Sequence, residues 1–74
     1  MNNYILVSSN LEGIDYSRFA TLEEAQEEMK KRFKSYKTVV EANVKSSIIT
    51  DEYAIISCQS PNNGNTYWLI IKTK

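Results

Sequence analysis

Between Ala20 and Lys37 the apolar residues recur at helical spacing. Leu22, Ala25, Met29, Phe33 and Tyr36 step by three and four, which puts them on one stripe of an amphipathic helix. Apart from Ser35, the residues between them are Glu, Gln, Lys and Arg, all strong helix formers, and no Gly, Pro or β-branched residue interrupts the run. Thr21 and Glu24 fit a capping box, in which hydroxyl and carboxylate each satisfy a free amide of the first turn. Phe19, just ahead of the cap, is placed to staple onto Ala25 or a neighbour.

Elsewhere the pattern has the period of strands. Asn3–Ser9 reads as a first strand whose Tyr4, Ile5, Leu6 and Val7 form an unbroken apolar run, the mark of a central strand or of one covered on both faces. Asn10–Asp15, with Gly13, is a turn, and Ile14, Tyr16 and Phe19 form a short return strand. Glu52–Ser60 alternates Tyr53, Ile55 and Ser57 against Ala54, Ile56 and Cys58. Thr66–Thr73 alternates Tyr67, Leu69 and Ile71 against Trp68, Ile70 and Lys72. Between them Pro61–Asn65 reads as a loop, with Asn63-Gly64 as its turn signal.

The stretch Thr38–Ile49 satisfies two templates. Val40, Ala42, Val44, Ser46 and Ile48 alternate as in a strand, yet Phe33, Tyr36, Val40, Val44 and Ile48 prolong the helical stripe. Thr38 and Glu41 match a second capping box. The expectation is helix to about Val44, with a break near Lys37–Thr38, and an extended Ser46–Thr50.

The elements assemble as an α+β domain spanning residues 1–74, one long amphipathic helix on a small antiparallel sheet. The order is βαββ, or ββαββ if the return strand pairs. A helix stripe covers one sheet face, whereas the apolar strand residues spread over both. Either Thr38–Ile49 covers the surplus apolar surface or another molecule does, and the surplus points to association with another protein or with a second copy. The expected partner-binding residues are Tyr4, Leu6, Tyr53, Ile55, Tyr67 and Trp68.

Composition narrows the function classes. A chain of 74 residues buries about 60% of its unfolded surface, so its stability is marginal and association would add to it. Nine acids balance nine bases, which argues against a general nucleic-acid coat or a polybasic membrane binder. The order along the chain is uneven: acids dominate up to Glu28, and Lys30, Lys31, Arg32, Lys34 and Lys37 follow. Acids at a helix start and bases at its end complement the macrodipole, and Glu27–Lys31 and Glu28–Arg32 have the favoured spacing. The same basic segment supports the alternative function, nucleic-acid contact through Lys30, Lys31, Lys34 and Lys37. A single cysteine, Cys58, excludes an internal disulfide, and no signal peptide or apolar span is visible, so the expected compartment is the cytoplasm.

No catalytic constellation is present. The chain contains no histidine, which removes Ser-His and Cys-His pairs and the usual general base near neutral pH. Asp51-Glu52 lies in a turn, and the helix acids lie on a solvated face, so no carboxylate pair is expected to converge. Two glycines, Gly13 and Gly64, are too distant to form a phosphate loop. Cys58 sits among apolar strand residues as a core filler. The reading is of a non-enzyme without metal or cofactor.

The run Phe19-Ala20-Thr21-Leu22-Glu23-Glu24-Ala25 through Met29, followed by Tyr53-Ala54 and by Tyr67-Trp68 with Ile70, resembles a loose class of small proteins. These are encoded by phages and mobile elements of Gram-positive bacteria. The resemblance spans most of the chain and implies a βαββ-like domain with no catalytic residues. It also implies a setting in which small proteins bind and inhibit host defence enzymes, CRISPR effectors among them.

Overall fold

In the computed structural model, which describes residues 3–10, 13–59 and 64–73, the expected helix forms as α1, Leu22–Val39. Its capping box is complete. The Thr21 amide donates to Glu24 Oε1 and the Glu24 amide donates to Thr21 Oγ1, both at 3.2 Å. Ala25, Met29 and Phe33 are the buried residues of the stripe. Of the two expected ion pairs, Glu28–Arg32 closes at 2.7 Å and Glu27–Lys31 does not. Arg32 also donates to Ser17 Oγ at 3.2 Å, which ties the helix to the sheet.

Five strands make that sheet: β1 (Tyr4–Asn10), β2 (Gly13–Phe19), β3 (Val44–Ile49), β4 (Tyr53–Cys58) and β5 (Asn65–Lys72). Their order is β2-β1-β5-β4-β3, and every neighbouring pair is antiparallel. The fold is therefore α+β with the element order ββαβββ, one strand more than the longer of the two expected orders. The return strand pairs with β1 over its full length, from Tyr4 opposite Phe19 to Asn10 opposite Gly13. Gly13 opens β2 at φ +137, which a side chain would strain. Most of the expected Pro61–Asn65 loop lies outside the described residues; Gly64 is at φ +58, the left-handed conformation a turn glycine supplies.

The extra strand comes from Thr38–Ile49, where the expectation of helix to about Val44 is corrected. The helix stops at Val39, Val40 caps it by donating to Tyr36 O at 3.1 Å, and a short 3₁₀ helix, Glu41–Asn43, leads into β3. Two physical reasons favour the stop. Eighteen residues already span about 27 Å, the length of a strand of seven or eight residues, so a further turn would overhang the sheet. The β-branched pair Val39-Val40 loses side-chain freedom in a helix, whereas Val44 onward gains a ladder with β4. Thr50 closes the β3–β4 turn, with its Oγ1 accepting from the Glu52 and Tyr53 amides at 3.2 and 3.1 Å.

The core lies between α1 and the sheet. Leu6, Met29, Phe33, Val40, Ala54, Ile56 and Trp68 form its cluster, with Phe19, Tyr36, Val44, Cys58 and Ile70 packed around them. Trp68, on the central strand, receives Phe33 and Tyr36 edge-on at centroid distances of 6.1 and 6.0 Å. Cys58 is thus a margin-of-core residue, as its neighbours in sequence suggested. Beside Trp68, Thr66 is buried and its hydroxyl has no hydrogen-bond partner.

Two substitutions test this packing. Met29→Ala leaves a cavity under the helix and should cost about 2–5 kcal/mol in urea unfolding. A loss below about 1 kcal/mol would show that α1 does not seal the sheet there. Thr66→Val removes a buried hydroxyl while keeping its shape, and should raise stability by about 1 kcal/mol. A comparable loss would show that the hydroxyl is bonded in solution.

Candidate interaction surface

Side chains alternate across a strand, so each strand divides its residues between the helix and the opposite side. The residues facing α1 include Leu6 and Ser8 of β1, Ala54 and Ile56 of β4, and Thr66 and Trp68 of β5. Their neighbours face away. The register aligns these outward residues in rows that cross the sheet. Tyr16, Val7, Leu69 and Tyr53 form one row over four strands. Ile14, Ser9, Tyr67, Ile55 and Ile48 form the next over all five. Arg18, Ile5 and Ile71 form a third at the β2 corner.

Nothing in the chain covers this side among the described residues. Ile14 is 75% exposed and Tyr16 60%, and even on the central strand Leu69 is 45% exposed. Five strands at about 4.8 Å spacing and six residues at about 3.3 Å make a face of roughly 24 by 20 Å, near 500 Å². Ordinary monomers carry apolar patches of about 300–600 Å², and a planar figure understates a surface of protruding side chains. Arg18 is the one charged residue in the three rows. Asn65 donates to Tyr67 Oη at 3.0 Å on the same side, which holds that ring in place.

The six residues expected to bind a partner divide between the two sides. Tyr53, Ile55 and Tyr67 lie on the open face. Leu6 and Trp68 are corrected: both are buried beneath α1 and closed to a partner. Tyr4 is half-buried on the helix side with Leu6, away from the open face, and lines a cleft with Leu22 and Ile70. The cause is the strand period. Trp68 and Tyr67 are adjacent in sequence and therefore point in opposite directions. Residues absent from that expectation complete the face: Ile5, Val7, Ile14, Tyr16, Ile48, Leu69 and Ile71. For β2 the strict alternation Ile14-Asp15-Tyr16-Ser17 was a usable signal. For β1 there was none, because Tyr4 to Val7 are all apolar.

The opposite side of the molecule has little chemistry to offer. A cleft of ≈ 370 Å³ runs between α1 and the β1–β5 pair, with Ser8, Ser35, Tyr36 and Thr66 in its walls. Its one carboxylate, Glu28, is held by Arg32, so no acid pair forms there. Among the described residues no three Cys, Asp or Glu side chains gather as a metal site would require. No described helix is long and apolar enough to cross a membrane.

Lys30, Lys31, Lys34 and Lys37 are all exposed, as a solvated helix face requires. Lys30, Lys34 and Lys37 follow one flank at steps of four and three, and Lys37 Nζ rests 5.8 Å from the Phe33 ring centroid. Lys31 lies on the other flank, at the cleft lined by Glu28, Arg32 and Ser35. The lysines and the exposed tyrosines thus lie on opposite sides of the sheet. A single-strand reader combines cations and stacking aromatics in one groove, and here the two are separated.

The chain matches no family model, no curated protein and no solved structure, so its functional reading rests on this bare five-stranded face.

Proposed function

We propose that this protein is a non-enzymatic binding module that acts by protein–protein association through the open face of its sheet. One observation carries the reading: the face is apolar across all five strands, and α1 is already committed to the other side. Burying apolar surface yields about 25 cal/mol per Å², so a partner seated there gains considerably from contacts the fold leaves unmade. Tyr16, Tyr53 and Tyr67 supply the rigid, amphipathic anchors favoured at such interfaces. In the setting that the sequence resemblance implies, a phage or mobile element of a Gram-positive bacterium, the partner is either a cytoplasmic host protein, a defence enzyme such as a CRISPR effector among them, or a second copy of the chain. That extension rests on the resemblance alone.

Site-specific photo-crosslinking in cells distinguishes the two sides of the molecule. A benzophenone side chain in place of Tyr53 or Tyr67 should yield protein adducts, and the same group at Lys31 or Ser35 on the helix should not. Adducts from the helix positions only, or from none of the four, would refute the reading.

The alternative function, a nucleic-acid accessory protein, draws on the exposed flank of Lys30, Lys34 and Lys37. It requires binding that weakens steeply with salt. Fluorescence anisotropy with single- and double-stranded oligonucleotides at low salt should show no saturable binding. Saturable binding abolished by Lys30→Ala, Lys34→Ala and Lys37→Ala together would make this alternative the correct one.

A further inference from the structure

We propose that the open face is built to pair with a second copy of this chain, forming a twofold dimer in which two sheets pack face to face. This rests on the reading above that the face is a docking surface. Two such faces together make a planar contact of about 1,000 Å², the threshold for a stable interface, and their side-chain relief raises the buried area further.

Self-complementarity is written in the register. Strand β5 is the middle strand, with two neighbours on each side. A twofold axis lying between the sheets and running along β5 places β1 of one copy over β4 of the other, and β2 over β3. That operation sets Val7 against Tyr53 and Ser9 against Ile55. Small side chains of β1 thus meet large ones of β4, a match that occurs twice by symmetry, and at the rim Ile14 meets Ile48. Leu69 and Tyr67, on the central strand, meet their own counterparts. Sheets packed this way hold their strands within about 30° of each other, and an axis bisecting that angle preserves the symmetry.

Charge does not oppose the pairing. Arg18 is the one charge in the three rows, and its corner position means the axis carries it to the far edge, away from its mate. The net charge of the chain is zero, which removes long-range repulsion between copies. Edge-to-edge pairing is disfavoured instead: the β3 edge is broken between Val44 and Ser46, where Lys45 is bulged out of the ladder.

The position of Leu69 on the axis supplies the test. Sedimentation equilibrium of the wild-type chain should show a dimer at micromolar concentration. Leu69→Lys and Leu69→Glu each place like charges in contact, and each should raise the dimer Kd by about 100-fold or more. Mixing the two should restore a dimer containing one copy of each. Tyr67→Lys and Tyr67→Glu, also on the axis, provide the same pair of variants if either Leu69 variant loses its circular-dichroism spectrum. A wild-type dimer indifferent to all four would place the interface elsewhere and overturn the proposal. A wild-type monomer at millimolar concentration would overturn it too. If Tyr53 or Tyr67 then still crosslinks to another protein, the docking face survives without self-pairing; if neither does, both readings fall.

Discussion

Strand β5 lies in the middle of the sheet although it is the last strand of the chain. Its pairing with β1, from Tyr4 opposite Lys72 to Ser9 opposite Tyr67, is the contact on which the remaining structure depends. Without it the chain would be two separate pieces, the β1–β2 hairpin and the β3–β4–β5 meander, each too narrow to hold the helix. With it a continuous surface of five strands exists, and Leu6 comes opposite Ile70, diagonal to Trp68, under α1. The pairing joins residues at opposite ends of the sequence, so its loop-closure entropy is high. That entropy is offset only once the helix has closed over the joint, which makes sheet and lid a single cooperative unit.

The same joint explains why one side stays open. One helix of eighteen residues packs against β1, β2, β4 and β5, leaves β3 the least covered, and does so on one side only. The apolar residues that would fill a second layer are present on every strand, and no described element covers them. In a domain this small the ratio of surface to core is already unfavourable. An apolar face left bare under those conditions has a physical explanation if burial is completed by another molecule. The bulge in β3 and the charged residues at both edges are consistent with that arrangement, since they discourage strand addition at the rims and leave the broad face available.

The division of labour within the helix follows as well. Its acids and bases are arranged for its own stability, through the capping box, the macrodipole and the Glu28–Arg32 pair. Arg32 adds a tie to Ser17 on β2, so the charged side of the helix also fixes its position across the sheet. Of the basic segment, Arg32 is engaged by Glu28 and Lys37 rests over the Phe33 ring, while Lys30, Lys31 and Lys34 stand exposed.

Local sequence determined the helix start, the two-residue period of β2, β4 and β5, the α+β class and the existence of surplus apolar surface. Each of these depends on neighbours within a turn or a strand, where spacing and capping act directly. The tertiary structure decided the rest. Whether Val44–Ile49 is helix or strand depended on whether β4 lay alongside to pair with it, and spacing satisfied both templates. Which of Tyr4, Leu6, Trp68, Tyr53, Ile55 and Tyr67 would be open to a partner depended on which face α1 chose. In β1, where four consecutive residues are apolar, no local pattern records that choice. It is made by the register with β5 and by the seating of Trp68 against Phe33 and Tyr36, contacts between residues far apart in the chain.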